Sequence, residues 1–224
     1  KGVAALREAL ENTVPYGPVI DGDLLPRPTV ESLAAGVGAD KPLLLGSTDD
    51  EFAMITEQYR RRLAAVPASL ALRVLAPAMA GPRAYRRANR DVRGTAAMLG
   101  RFVSDRVFRT LVVRVARARE AAAAPTWAYR FSWRSPTRGI ALHCIDVPFW
   151  FDCLGAEQVT AIAGENPPQA LADALHGSAV AYLRDGDPGW TPWSERPGTA
   201  RVFGGPASSP DVLPDAYASV RALV

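Results

Sequence analysis

Two side chains of this chain are suited to moving a proton beside a carbonyl group: Glu51 and His143, 92 residues apart. A carboxylate that orients an imidazole, and an imidazole that takes a proton from a hydroxyl, are two parts of a hydrolytic triad whose third part is a serine. Each residue also has a plainer reading. Thr48-Asp-Asp-Glu51 has the spacing of a capping box, in which the glutamate bonds a backbone N–H. A lone histidine such as His143 often serves structure alone. His176, the other histidine, reads as a surface or packing residue.

Cys144 and Cys153 are too few for a disulfide framework. Without a second Cys-x-x-Cys or a histidine pair they indicate no zinc site. No Gly-x-Ser-x-Gly string occurs. Ser47 follows Gly46 without the flanking pattern, and Ser178 follows Gly177 without the later glycine. No His-Gly-Gly-Gly oxyanion loop occurs either. A pair lacking its serine and oxyanion donors cannot run acyl transfer. The chain taken alone is therefore expected to be inactive.

The elements that must hold these residues are legible in outline. Lys41-Pro-Leu-Leu-Leu-Gly46 is a short apolar run bounded by Pro and Gly, which predicts a strand buried on both faces. Glu51 follows it in a tight turn, and Phe52, Ile55 and Tyr59 begin a helical pattern. Thr126 to Trp133 is rich in aromatic strand formers and predicts a second strand, with His143 in the loop beyond. Thr199 to Phe203 suits a third. Helices are predicted over Val3–Leu10, from Thr29 as N-cap to Gly36, over Pro67–Ala76 and Pro82–Asn89, from Thr95 to Ala123, and over Leu171–Leu183. The stretch Pro15 to Pro28 is turn-rich. Strands separated by helices predict an α/β fold with a mainly parallel sheet, whose ligands bind beyond the carboxyl ends of the strands. Three strands leave an edge unpaired, so the sheet is expected to be incomplete in this chain.

Composition narrows the classes. Of 224 residues, 48% are hydrophobic and 22% charged, an ordinary globular mixture. No apolar run reaches the roughly 18 residues of a membrane span. A soluble protein, cytoplasmic or secreted, is expected. The net charge is +3, with lysine only at Lys1 and Lys41 and arginine supplying the other positive charges. The arginines between Arg101 and Arg119 interleave with Phe102, Val107, Val112 and Val115, which predicts an amphipathic helix with a solvated face and no nucleic-acid partner. The chain begins with Lys1 and carries no leader pattern, so its start reads as an internal cut.

Six strings in order then resemble the type-B carboxylesterase (cholinesterase-like, para-nitrobenzyl-esterase-like) family of the α/β-hydrolase fold. Tyr16-Gly-Pro-Val-Ile-Asp-Gly22, followed by Pro28 and Leu33 to Gly36, is similar to the family's F-x-P-V-x-D-G and P-x-x-L-x-x-G. Pro42 to Phe52 resembles the strand and turn presenting the family's acid. Ser104-Asp105 with Phe108 resembles S/T-D-x-x-F. Tyr129 to Trp133 resembles the strand before the histidine loop. Gly139-Ile-Ala-Leu-His-Cys-Ile-Asp-Val-Pro-Phe-Trp-Phe151 resembles G-x-x-H-x-x-E-[LI]-P-F-V-F. Ala181 to Trp193 resembles the closing F-x-x-x-G-[DN]-P and tryptophan segment. The family usually has glycine where Cys144 stands and glutamate where Asp146 stands.

The resemblance implies carboxylic-ester hydrolysis without metal or cofactor, with Glu51 as triad acid and His143 as general base. The order acid then histidine is that of α/β-hydrolases. It implies supporting roles for Ser104, Asp105 and Asp146 around the pair, and a substrate-facing role for Met54 and Ile55, which equally fit a buried helix face. It also implies that residues 1–224 are only the C-terminal portion of such a domain. A complementary N-terminal segment would then carry the serine and oxyanion hole. A non-enzymatic cholinesterase-like interaction domain is the alternative.

Overall fold

The computed structural model describes residues 18–75, 82–205 and 211–224. The predicted helix over Val3–Leu10, the first residues of the turn-rich stretch (15–17) and Ala76 lie outside them. The first helix, α1 (Thr29–Ala34), starts after Pro28, so Thr29 lies inside the helix instead of capping it. Strand β1 (Leu43–Thr48) is followed by the acid turn and by two short helices, α2 (Ala53–Glu57) and α3 (Arg60–Leu63). Helices α4 (Ala68–Leu75), α5 (Pro82–Ala88) and α6 (Thr95–Ser104) come next. One π-turn, Asp105–Arg109, joins α6 to α7 (Thr110–Glu120), so the predicted long helix is present with a widened middle. Strand β2 (Thr126–Phe131), helices α8 (Val147–Trp150), α9 (Val159–Ala163) and α10 (Gln169–Asp185), and strands β3 (Ala200–Phe203) and β4 (Val212–Leu213) complete the order with a 3₁₀ turn, Ala218–Leu223.

The sheet runs β1-β2-β3-β4. Leu43 pairs with Thr126 and Thr48 with Phe131, so β1 and β2 run parallel in full register; β3 continues the parallel set. Strand β4 is antiparallel, with Val212 opposite Arg201. Three of the four strands are thus parallel, but the sheet is mixed: among the described residues a fourth, antiparallel strand follows the three expected, which corrects the expectation of a three-strand sheet left incomplete. Val212-Leu213 is too short to show a period, which is why no strand was expected there.

Alternation along β2 divides the core. Trp127, Tyr129 and Phe131 face one side with Phe149, Leu175, Trp190 and Phe203. Ala128 faces the other with Val112, Val113, Ala116, Trp193 and Val220. Successive strand residues point to opposite faces, so Leu44 and Leu45 of β1 pack toward opposite clusters; both are only half-buried, less than the burial on both faces expected for this strand. A third cluster, built from Leu72, Tyr85, Leu99, Phe102 and Val103, joins α4, α5 and α6.

The arginine-bearing helix departs from its predicted solvated face. Arg106, Arg114 and Arg117 are exposed, but Arg101, Arg109 and Arg119 are buried. Arg119 ties the helix to the start of β1 and β2 through Thr126 Oγ1 (3.0 Å) and the Lys41 carbonyl (2.6 Å). A buried guanidinium must be hydrogen-bonded, and these three find acceptors that helical periodicity does not show.

Among the described residues, no helix is long and apolar enough to cross a membrane.

Candidate active site

The acid turn leaves the end of β1, and the histidine loop leaves the end of the adjacent β2. Parallel pairing in register therefore releases both loops at the same edge of the sheet. The structure brings Glu51 and His143 together: Oε2 of Glu51 lies 2.5 Å from Nδ1 of His143. The backbone repeats the link, with the His143 amide donating to the Glu51 carbonyl at 3.1 Å. Glu51 is only 5% exposed, whereas the His143 side chain is 40% exposed. With Nδ1 facing the carboxylate, Nε2 is the nitrogen left for a reacting group.

The second carboxylate oxygen of Glu51 accepts the Thr48 amide at 2.8 Å. That is the backbone bond the capping-box spacing predicts, but it caps no helix: Thr48 ends β1, α2 starts at Ala53 behind Phe52, and the Thr48 hydroxyl has no partner among the described residues. Burial pushes the Glu51 carboxyl above its ordinary value, against the opposing pull of His143 and the Thr48 amide. The His143 ring is also walled by aromatics that sequence reasoning did not single out for this task. Phe52 and Phe108 lie 5.2 and 5.4 Å from it, centroid to centroid, and pack edge-on against each other at 4.9 Å. Phe108 belongs to the π-turn, where one extra residue per turn re-aims side chains.

Three consecutive acids, Asp49, Asp50 and Glu51, are buried in the acid turn, and each has its own partners. Asp49 receives Arg130 in two parallel bonds (2.9 and 2.8 Å) and Ser132 Oγ (2.7 Å). Burial disfavours its charge, but Arg130, Arg109 and Arg101 outweigh that and hold the carboxyl far below the usual range. Asp50 accepts Arg101 at 3.2 Å and the Ala141 amide at 3.2 Å. An acid run in a buried turn requires such cations, a requirement that points to arginines as partners but does not say which ones.

The residues expected around the pair fall at different distances from it. Ser104 Oγ accepts the amide of Phe52, the residue after Glu51, at 3.1 Å. Asp105 lies one layer deeper, bonded to Tyr85 Oη and Arg109, both at 2.6 Å. Asp146 accepts Tyr129 Oη at 2.9 Å, and burial raises its carboxyl. Met54 and Ile55 are 37% and 36% exposed, while Ala53 and Thr56 carry the buried contacts of α2. His176 packs through Nδ1 on the Trp150 carbonyl at 2.9 Å. Cys144 and Cys153 are free and exposed. Among the described residues, no group of three or more His, Cys, Asp or Glu side chains is placed to hold a metal ion.

Known proteins share this arrangement of chain. The Carboxylesterase family model matches residues 3–197. The para-nitrobenzyl esterase of Bacillus subtilis is 25% identical over 176 residues, covering 77% of this chain and 35% of that protein. A carboxylesterase of Geobacillus stearothermophilus, solved at pH 6.2, superposes with a TM-score of 0.68 at 27% identity, over 87% of this chain and 43% of that one. A PNB esterase has the same fold, with a TM-score of 0.63 at 21% identity over 89% of this chain and 43% of its own. The chain spans less than half the length of these relatives.

The extent of the family match corrects one group of expectations. A C-terminal portion, inactive alone and completed by a separate serine-bearing N-terminal segment, is overturned by carboxylesterase sequence that occupies nearly the whole chain. That expectation came from the resemblance of the ordered strings to a C-terminal portion, together with a missing motif string and a three-strand count. A missing string specifies no partner, and the sheet has four strands among the described residues. The match over residues 3–197 places this chain in the carboxylesterase family.

Proposed function

We propose that the chain hydrolyses carboxylic esters with Glu51 and His143 as its acid–base pair. The observation that carries this reading is the 2.5 Å contact between a buried carboxylate and the inner nitrogen of a partly exposed imidazole. In this reading Nδ1–H donates to Glu51, which fixes the ring and its tautomer. Nε2 takes a proton from an attacking water as the water oxygen bonds the carbonyl carbon, and gives that proton to the alkoxide as the C–O ester bond breaks. Positioned proton transfer of this kind contributes about 10²–10⁴-fold. The Glu51 charge stabilises the imidazolium that forms between the two transfers. Phe52 and Phe108 limit where the ring can tilt. Ser104 fixes the chain just past Glu51, Asp105 anchors the π-turn that carries Phe108, and Asp146 braces the loop beyond His143. Met54 and Ile55 offer exposed apolar surface one turn past the acid to the acyl group. The Bacillus subtilis relative is named for p-nitrobenzyl esters, which makes those a first substrate class to try, with p-nitrophenyl butyrate as a chromogenic carboxylic ester for the assay.

The test is hydrolysis of p-nitrophenyl butyrate by the chain and by His143→Gln. A loss of at least about 10²-fold in kcat supports the reading. Undiminished turnover by His143→Gln removes it.

A further inference from the structure

Glu51 and His143 sit on two loops that touch at more than the reacting side chains. Asp49 donates its amide to the Phe131 carbonyl at 3.0 Å, where the strands end. One residue on, the Asp50 amide donates to the Ala141 carbonyl at 3.0 Å, and the Ala141 amide returns a bond to Asp50 Oδ2 at 3.2 Å. One residue further, the His143 amide donates to the Glu51 carbonyl at 3.1 Å. The contact between the loops is thus a short run of rungs, and Asp50 supplies two of them. Its other oxygen, Oδ1, accepts Arg101 at 3.2 Å, which fixes the carboxylate plane from helix α6. Asp50 is 7% exposed and Ala141 fully buried, so water does not compete for these bonds.

The histidine loop runs from the end of β2 to α8 without a regular helix or strand. Its backbone is held by individual bonds, and the one two residues before His143 is the reciprocal pair with Asp50. We infer that Asp50 is a positioning residue for the Glu51–His143 pair: it sets the register between the two loops, and Arg101 sets Asp50. The inference rests on the reading of that pair as the acid–base machinery.

Asp50→Asn tests this without changing volume. The amide has one oxygen, and the buried Arg101 guanidinium claims it. The NH₂ group then faces the Ala141 N–H, donor against donor, and the loop link opens. Asp50→Asn/Arg101→Met removes the claim, so the oxygen can turn to Ala141 and the buried unpaired charge is gone as well.

Two readouts apply to both variants: the low-field proton resonance of His143 Nδ1–H, and kcat and KM on p-nitrophenyl butyrate. Displacement by about 1 Å costs on the order of 10²-fold in rate. Asp50→Asn should therefore lose at least about 10-fold in kcat, keep KM within about 2-fold, and broaden or shift the resonance. Asp50→Asn/Arg101→Met should recover the resonance and most of the kcat. A wild-type resonance and kcat in Asp50→Asn overturns the inference, and so does failure of the double variant to recover either. Glu51→Gln separates this failure from that of the underlying reading: if Glu51→Gln keeps full kcat and an unchanged resonance, the pair itself is not the machinery.

Discussion

Thr48 and His143 share one carboxylate. The Thr48 amide donates to Oε1 of Glu51 at 2.8 Å, and His143 Nδ1 faces Oε2 at 2.5 Å. Both donors need an acceptor, and only an ionised carboxylate offers two. A glutamine at this position offers one oxygen and sets its NH₂ against the other donor. Glu51→Gln therefore removes more than a charge: it leaves either the strand end or the imidazole without its partner.

The same burial gives Glu51 a stability signature. Its carboxyl lies above the ordinary value when folded, chiefly because burial disfavours the charge. Between the ordinary glutamate value and the raised one, the folded state holds a proton that the unfolded state has lost. Stability from this group is therefore fully present below the unfolded value and is lost as pH rises through the folded one. The difference in Tm, Glu51→Gln minus wild type, should rise as pH increases from about 4, the ordinary glutamate value, through the raised folded one. Thermal melts across that range check it, and a falling difference contradicts it.

Cys144 adopts a left-handed backbone at φ 61°, directly after His143. A side chain there costs about 1–3 kcal/mol. Glycine relieves the strain but loses more freedom on folding, so Cys144→Gly should stabilise by about 1 kcal/mol and leave kcat within about 2-fold. Cys144→Val, with its branched Cβ, should destabilise. Denaturant melts of the two variants decide it.

A third prediction concerns close approach. A Cβ on Gly100 would lie 2.7 Å from Ala53 Cα and 2.7 Å from Thr56 Oγ1. Glycine at this point lets α2, the helix directly after Glu51, lie against α6. Gly100→Ala should push α2 outward, cost about 1–3 kcal/mol, and lower activity through the acid turn. Unchanged stability in urea melts would show that α2 yields freely.

The strand-and-loop frame of this site was legible because its signals are local. Leu43 to Leu45 is a continuous apolar run, half-buried in the sheet, Trp127 to Phe131 alternates, and both strands end where a candidate proton carrier follows. What stayed hidden depends on distant partners. Arg101, Arg109 and Arg119 look like helix surface until their acceptors, on Asp50, Asp105, Thr126 and Lys41, are seen. Phe108 stands out in the Ser104-Asp105-x-x-Phe108 string, but its place against the His143 ring does not, because a π-turn leaves no period in a sequence. Val212-Leu213 is a strand only through its partner β3. Cys144 shows the intermediate case: the family pattern favours glycine there, and the positive φ supplies the reason.

Asp49 anchors the turn through buried ion pairs with Arg130 and Arg109. Removing one partner of a buried pair costs about 3–5 kcal/mol, so Asp49→Asn should lower stability by that amount at neutral pH. The folded carboxyl lies well below the ordinary value. Its stabilisation is therefore present above the unfolded value and lost as pH falls toward the folded one. Wild type should lose stability faster than Asp49→Asn below about pH 4, as acid-unfolding curves would show.

The central claim is that Glu51 and His143 act as one unit, and a double-mutant cycle on kcat tests it most directly. Residues that act together are far from additive. Glu51→Gln and His143→Gln should each slow p-nitrophenyl butyrate hydrolysis by about 10²-fold or more, and the double variant should be no slower than His143→Gln alone. If the two losses multiply, each residue acts independently and the contact between them is structural only.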